Sequence, residues 1–138
     1  MSVQDIARDR VVTADPHTAA EQVARQLKEA NVGCVVVTED GQPSGLVTDR
    51  DLVTRVVANL GAASGLTAGD IMTPEVATIE ADQGIFELTE LMRRQGIRRV
   101  PVVDGGDLDG IVTLDDVHRL LTTELSNLAH VIEKESPA

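Results

Sequence analysis

Two threonine–aspartate pairs are the residues best placed to do chemistry. Thr48 and Asp51 stand three residues apart, and Thr113 and Asp116 repeat that spacing sixty-five residues later. Each pair falls where a helix should begin, so both side chains project from one first turn. The free backbone N–H groups there, together with the helix dipole, favour an anion such as phosphate. A threonine hydroxyl adds a donor to a phosphate oxygen, and a carboxylate one turn in can accept from the 2′- and 3′-hydroxyls of a ribose. The same Thr-x-x-Asp pattern is also that of a capping box, which contributes about 1 kcal/mol with no ligand involved. Duplication does not separate these readings, because a cap would be duplicated too.

The elements that must position the pairs are duplicated with them. Gly45-Leu46-Val47-Thr48-Asp49-Arg50-Asp51 recurs as Gly110-Ile111-Val112-Thr113-Leu114-Asp115-Asp116, and the same offset superposes Asp5-Ile6 on Asp70-Ile71, Val35 on Val100 and Gly41 on Gly106. Two copies of this length predict one duplicated supersecondary unit rather than a solenoid. The first copy reads as a strand at Val11-Val12-Thr13, then a helix capped by Asp15 with Pro16 at its first position. A strand over Cys34–Thr38, a turn at Asp40-Gly41-Gln42-Pro43 and a strand over Gly45–Val47 follow. Its second helix starts near Thr48, carries Leu52, Val53, Val56, Val57 and Leu60 on one side, and stops at Gly61.

The second copy reads as a strand over Val76–Thr78 and a helix from about Asp82 that buries Ile85, Leu88 and Met92 and ends at Gly96. Strands over Arg99–Val103 and Gly110–Val112 come next. Pro101 marks its strand as an edge, or as a kink where something approaches the backbone. The last helix keeps an apolar face through Val117, Leu121, Leu125, Leu128 and Ile132, and Glu133–Ala138 reads as a polar tail. The expected organisation is repeat one over 1–62, a linker over 63–69, repeat two over 70–127, and a helix end and tail over 128–138.

A formal net charge of −11 argues against nucleic acid and against an anionic membrane surface, both of which need clustered cations. Ten arginines but only two lysines stand against twenty-three acids, a balance that fits a salt-adapted surface or an ordinary acidic cytosolic protein. One cysteine, Cys34, excludes an internal disulfide and a cysteine-based zinc site. His17, His118 and His130 are scattered and form no metal set, and neither a nucleophile–base arrangement nor a Gly-x-x-x-x-Gly-Lys phosphate loop occurs. Neither a signal peptide nor a membrane-length apolar run is present, so a cytoplasmic location is expected.

Asp70-Ile71-Met72-Thr73-Pro74, Ile97-Arg98-Arg99-Val100-Pro101-Val102-Val103 and the two Gly-x-x-Thr-x-x-Asp segments together resemble the tandem CBS domain pair, from about Gln4 to about Leu125. The resemblance implies an α/β (α+β) fold of two β-α-β-β-α units, related by a pseudo-two-fold axis with their sheets packed together. It implies two clefts between the repeats for adenosine-containing ligands of the AMP, ADP, ATP or S-adenosylmethionine type. Thr48, Asp51, Thr113 and Asp116 take over the family's ligand contacts, and Arg50 the position that faces phosphates in some members.

Asp115 stands in repeat two where Arg50 stands in repeat one, so the Asp51 cleft is expected to prefer phosphorylated nucleotide. Arg99, beside Pro101, is expected to reach a phosphate in that cleft. Thr13 and Thr78 match positions where the family places base or hydroxyl contacts, although strand-capping threonines would look the same. Ordinary surface ion pairs are the competing account of Arg50 and Arg99. The function implied is regulatory sensing rather than catalysis, with an adenine nucleotide as regulatory ligand and no obligatory cofactor. A homodimer and a separate regulated protein are the expected partners; the alternative is a ligand-free structural module that docks onto a partner protein.

Overall fold

β-branched runs on either side of a tight turn give each repeat its central hairpin, and a helix before and after each hairpin completes it. The computed structural model describes residues 1–59 and 65–135. A short 3-10 turn at Val3–Asp5 precedes β1 (Thr13–Ala14), α1 (Ala20–Ala30), β2 (Cys34–Glu39) and β3 (Gln42–Thr48). Helix α2 begins over Asp49–Asp51 and runs on as a π-helix over Leu52–Val57. Then come α3 (Ala68–Ile71), β4 (Thr73–Pro74), β5 (Ile79–Glu80), α4 (Ile85–Gln95), β6 (Arg99–Asp104), β7 (Asp107–Thr113) and α5 (Leu114–Glu135).

The sheets run β1-β2-β3-β4 and β5-β6-β7, each with one parallel pair and an antiparallel hairpin. Each repeat owns an aliphatic core. Val23, Val35, Val37 and Val47 fill one, and Leu88, Val100, Val102 and Val112 fill the other. Each such side chain contributes about 1.5–3 kcal/mol by leaving water. A third cluster of Val36, Leu46 and Ile111 joins the outer faces of the two sheets.

The segment that leads into each repeat packs on the other one. Val3 belongs to the core of the second repeat, whereas Ala68 and Ile71 belong to the core of the first. Thr73 pairs with Leu46, and its counterpart Arg8 exchanges both backbone hydrogen bonds with Ile111 at 2.9 and 3.0 Å. Two glycines allow this close crossing. A Cβ on Gly45 would lie 2.9 Å from the Thr73 carbonyl oxygen, and one on Gly110 would lie 2.7 Å from that of Arg8.

Several local expectations are corrected. Asp15-Pro16 does not start α1, which begins at Ala20. Asp15 instead accepts from the His17 N–H at 2.8 Å, and its own N–H donates to Thr18, so the aspartate stabilises a turn rather than a helix. The α4 helix likewise starts at Ile85 rather than near Asp82, and the leading strands are Thr13–Ala14 and Ile79–Glu80.

Pro101 is not on an edge: β6 lies between β5 and β7. Its partner Ile111 bonds outward to Arg8, so the missing proline N–H faces β5. In the first repeat the counterpart Val36 donates that bond to the Val12 carbonyl at 2.9 Å. Without it, pairing starts one residue later, at Ile79↔Val102 instead of Thr13↔Val36.

In α2, Leu52 and Val56 pack inward, but Val53 and Val57 are exposed. The wide π turn, closed by the Ala58 N–H to the Val53 carbonyl, carries those two valines off the buried stripe. Leu60 and Gly61 lie outside the described residues. Gly96 ends α4 in the left-handed region, φ 63°. Helix α5 extends through Glu135, and of its expected apolar face only Val117 is buried.

Candidate functional site

The pseudo-symmetry produces two clefts of unequal size. The wider, about 550 Å³, lies between Thr48, Asp49 and Arg50 of the first repeat and the Thr73–Ala77 and Gln95–Arg99 segments of the second. The narrower, about 270 Å³, is its symmetry counterpart and is bounded by Thr113 and Asp115, by Arg8, Arg10, Val11 and Val12, and by the Asn31–Cys34 segment. Small-molecule sites typically need about 300–1,000 Å³, which favours the wider one.

Both threonine–aspartate pairs are realised as capping boxes. Asp51 Oδ2 accepts from the Thr48 N–H at 2.8 Å and from the Thr48 hydroxyl at 3.1 Å, while that hydroxyl oxygen accepts the Asp51 N–H at 3.3 Å. Asp116 Oδ2 accepts from Thr113 in the same way, at 3.0 and 2.9 Å. Thr48 and Thr113 line the clefts, but neither aspartate does. Asp51 is 9% exposed and Asp116 6%, and Asp116 lines a separate pocket with Ile6, Arg119, Leu120 and Thr123.

The two carboxylates differ in their second oxygen. Among the described residues, Asp51 Oδ1 has only the Arg55 Nε, at 3.8 Å. Asp116 Oδ1 accepts from Arg8 Nε at 3.2 Å and Arg8 Nη2 at 3.1 Å, with Arg119 a further 3.7 Å away. The position in the other repeat that matches Arg8 is Thr73, which is too short to make such a bond.

Five of the ten arginines line these clefts in a chain of net charge −11. Arg50, Arg98 and Arg99 face the wide one, accompanied by Asp49 and Glu75. Such a wall can hold an anion through guanidinium hydrogen bonds. Arg99 lines both clefts, and its Nη2 would lie 3.0 Å from a Cβ on Gly33, so its tip rests on the narrow-cleft side. It makes no salt bridge among the described residues. Cys34 lies near it, and burial pushes its thiol pKa up, an effect that Arg99 opposes and Asp49 reinforces.

The remaining predicted residues stand apart. Thr13 and Thr78 are exposed at the sheet ends and line neither cleft. Pro101 is fully buried within β6 and offers no surface to a ligand. Sequence comparison of Arg50 with Asp115 missed an opposing exchange: Arg8 and Arg10 match Thr73 and Glu75, which returns positive charge to the narrow cleft. The duplicated Asp-Ile anchors at 5–6 and 70–71 could have flagged those positions, since they align the two lead-in segments. No group of three or more His, Cys, Asp or Glu side chains is placed to hold a metal ion among the described residues. No described helix is long and apolar enough to cross a membrane.

Known proteins share this arrangement. An uncharacterised protein of Methanopyrus kandleri is 41% identical over 119 residues, covering 85% of this chain, which spans 61% of that protein's length. The CBS domain pair of protein MJ0100, in complex with 5′-methylthioadenosine and S-adenosyl-L-methionine, superposes with a TM-score of 0.78 at 27% identity, covering 90% of this chain and 98% of that one. CBSX2 in complex with AMP gives a TM-score of 0.74 at 27% identity, covering 88% and 96%. The family model of the CBS domain matches residues 3–58 and again residues 68–123. The chain therefore belongs to the CBS domain family, as a tandem pair of its domains.

Proposed function

We propose that this chain is a regulatory module that senses a phosphorylated adenosine ligand in its wide cleft. The observation that carries this reading is a 550 Å³ cleft lined by Thr48 at a helix start and by Arg50 and Arg98, with Arg99 shared between the two clefts, on an otherwise acidic chain. The AMP held by CBSX2 and the adenosyl ligands of the MJ0100 pair support the ligand class. Arg50 and Arg98 pair with its phosphate, and Asp51 Oδ1 accepts from the ribose. Binding acts on a regulated partner only through a difference in affinity between two arrangements of the repeats.

The test is thermal stabilisation by AMP, ADP, ATP, NAD and S-adenosylmethionine. A ligand at 100 times its Kd adds about 2.7 kcal/mol, which raises Tm by roughly 10 °C in a chain of this size. A flat response to all five refutes the sensor. The chain has no Trp or Tyr, so co-purified adenine also stands out in its ultraviolet spectrum.

One observation favours an additional role in assembly. The outer half of α5 exposes Leu121, Leu125, Leu128 and Ile132, the last three at 60% or more. We infer a homodimer that covers this face. Sedimentation of the wild type as a dimer, and of Leu125→Glu as a monomer, is the expected outcome; a wild-type monomer at high concentration removes the inference.

A further inference from the structure

We propose that Arg55 is a positioning residue for the wide cleft, holding one wall of it against the other without touching the ligand. The inference deepens the nucleotide-sensing reading above and rests on it for the identity of the ligand. Arg55 stands on α2, the helix whose start places Thr48, Asp49 and Arg50 in one wall. Its Nη1 donates to the Ile71 and Met72 carbonyls, at 3.1 and 3.0 Å. Those carbonyls close the end of α3, where a helix has no backbone donors of its own to offer. The chain runs on from them as Thr73–Ala77, which is the opposite wall. One guanidinium nitrogen therefore ties the two walls together.

The π turn makes this reach possible. In α5 the inward residues after Asp116 are Val117 and Leu120, whereas in α2 after Asp51 they are Leu52 and Val56. The inward stripe of α2 is thus displaced by one residue, which leaves Arg55, the counterpart of Leu120, outside it and half exposed. The second repeat has no such tie. Leu120 cannot donate, and a cavity of about 280 Å³ opens between it and Ile6, the counterpart of Ile71. The narrow cleft is linked from the other direction, by Arg8 of the lead-in segment to Asp116 of α5. A wall held in place keeps the binding-competent arrangement populated, and apparent affinity scales with that population.

Hydrogen exchange and calorimetric titration with AMP provide the test, with circular dichroism of each variant to confirm folding. Arg55→Leu, which copies the second repeat, should speed exchange at the Thr73 amide, in the strand pair with Leu46, and leave Val102 in the other core unchanged. The loss of one charged donor corresponds to about tenfold. AMP should bind about tenfold more weakly as the competent fraction falls. Arg55→Gln, polar but too short to span, should behave like the leucine variant. Arg55→Lys should restore both readouts, because a single nitrogen serves both carbonyls and no planar fork is needed. A leucine variant that melts earlier but binds AMP like the wild type leaves Arg55 a structural role only and overturns the proposal. Unchanged exchange at Thr73 overturns it too, as does a lysine that restores neither readout. A wild type that binds no AMP sinks the sensor reading by itself, and exchange at Thr73 then decides alone whether Arg55 holds the wall.

Discussion

The two aspartates hold equivalent positions, yet their removal should separate stability from binding. Asp51→Ala deletes the acceptor of the Thr48 N–H and hydroxyl. Loss of such a cap costs about 1–2 kcal/mol. The 3.8 Å approach of Arg55, itself half exposed, adds at most a few tenths of a kcal/mol. Asp116→Ala deletes the same cap and also strands Arg8, a pair with one buried and one exposed partner. Its cost lies between those of surface and buried pairs, giving a total of about 2–4 kcal/mol. At about 3–5 °C per kcal/mol, Asp51→Ala should lower Tm by roughly 3–10 °C and Asp116→Ala by roughly 6–20 °C. Binding should follow the opposite order. A hydrogen bond to a charged acceptor contributes about 1.5–3 kcal/mol, so Asp51→Ala should weaken AMP by about 10–150-fold. Asp116→Ala should leave AMP binding at the wide cleft within about threefold. Thermal melts and calorimetric titration on the same preparations measure both quantities. If Asp51→Ala melts earlier but binds AMP like the wild type, the carboxylate is a cap alone and the ribose assignment is wrong.

Other residues carry independent predictions. Gly110→Ala places a methyl group 2.7 Å from the Arg8 carbonyl oxygen, so it should cost about 1–3 kcal/mol as the lead-in segment is displaced; an unchanged melting temperature would show that the crossing is not tight. Pro101→Val restores the N–H that Val36 uses in the first repeat. The gained hydrogen bond, about 0.5–1.5 kcal/mol, is offset by the lost stiffness of proline in the unfolded chain, about 0.4–1 kcal/mol. Stability should move by no more than about 1 kcal/mol, while hydrogen exchange finds the new amide protected; rapid exchange there contradicts the strand pairing. Burial raises the Cys34 pKa and Arg99 lowers it, so thiolate absorbance should appear at higher pH than for a free cysteine. Arg99→Ala should move that midpoint higher still, and a downward move would place the Arg99 charge elsewhere.

The sixty-five-residue offset made the strands, the hairpin turns and the unequal pairs legible, because alternating aliphatic residues and turn chemistry act locally. Asp15-Pro16 misled because the same aspartate oxygen that caps a helix can close a short turn, as it does here onto the His17 N–H. The exchange of lead-in segments was not legible. Arg8 and Ile111 are more than one hundred residues apart, and their pairing depends on how two finished sheets meet. Charge at the clefts was misread for the same reason: the exchange of Arg50 for Asp115 is local, but the compensating exchange of Thr73 and Glu75 for Arg8 and Arg10 enters from the opposite repeat. The choice between cap and ligand also changes once the atoms are in place. The Thr48 hydroxyl hydrogen is already given to Asp51, so a phosphate can receive it only if the cap loosens, whereas Asp51 Oδ1 has only the longer contact with Arg55 among the described residues. The N–H groups of the α2 start are taken as well, that of Asp49 by the Gly33 carbonyl and that of Arg50 by Asp49 Oδ1, so in the proposed reading ribose recognition at Asp51 leaves the cap intact and phosphate relies first on Arg50 and Arg98. The helix start is therefore the element whose hydrogen bonding a nucleotide would alter, and it carries the cleft directly into the first turn of α2.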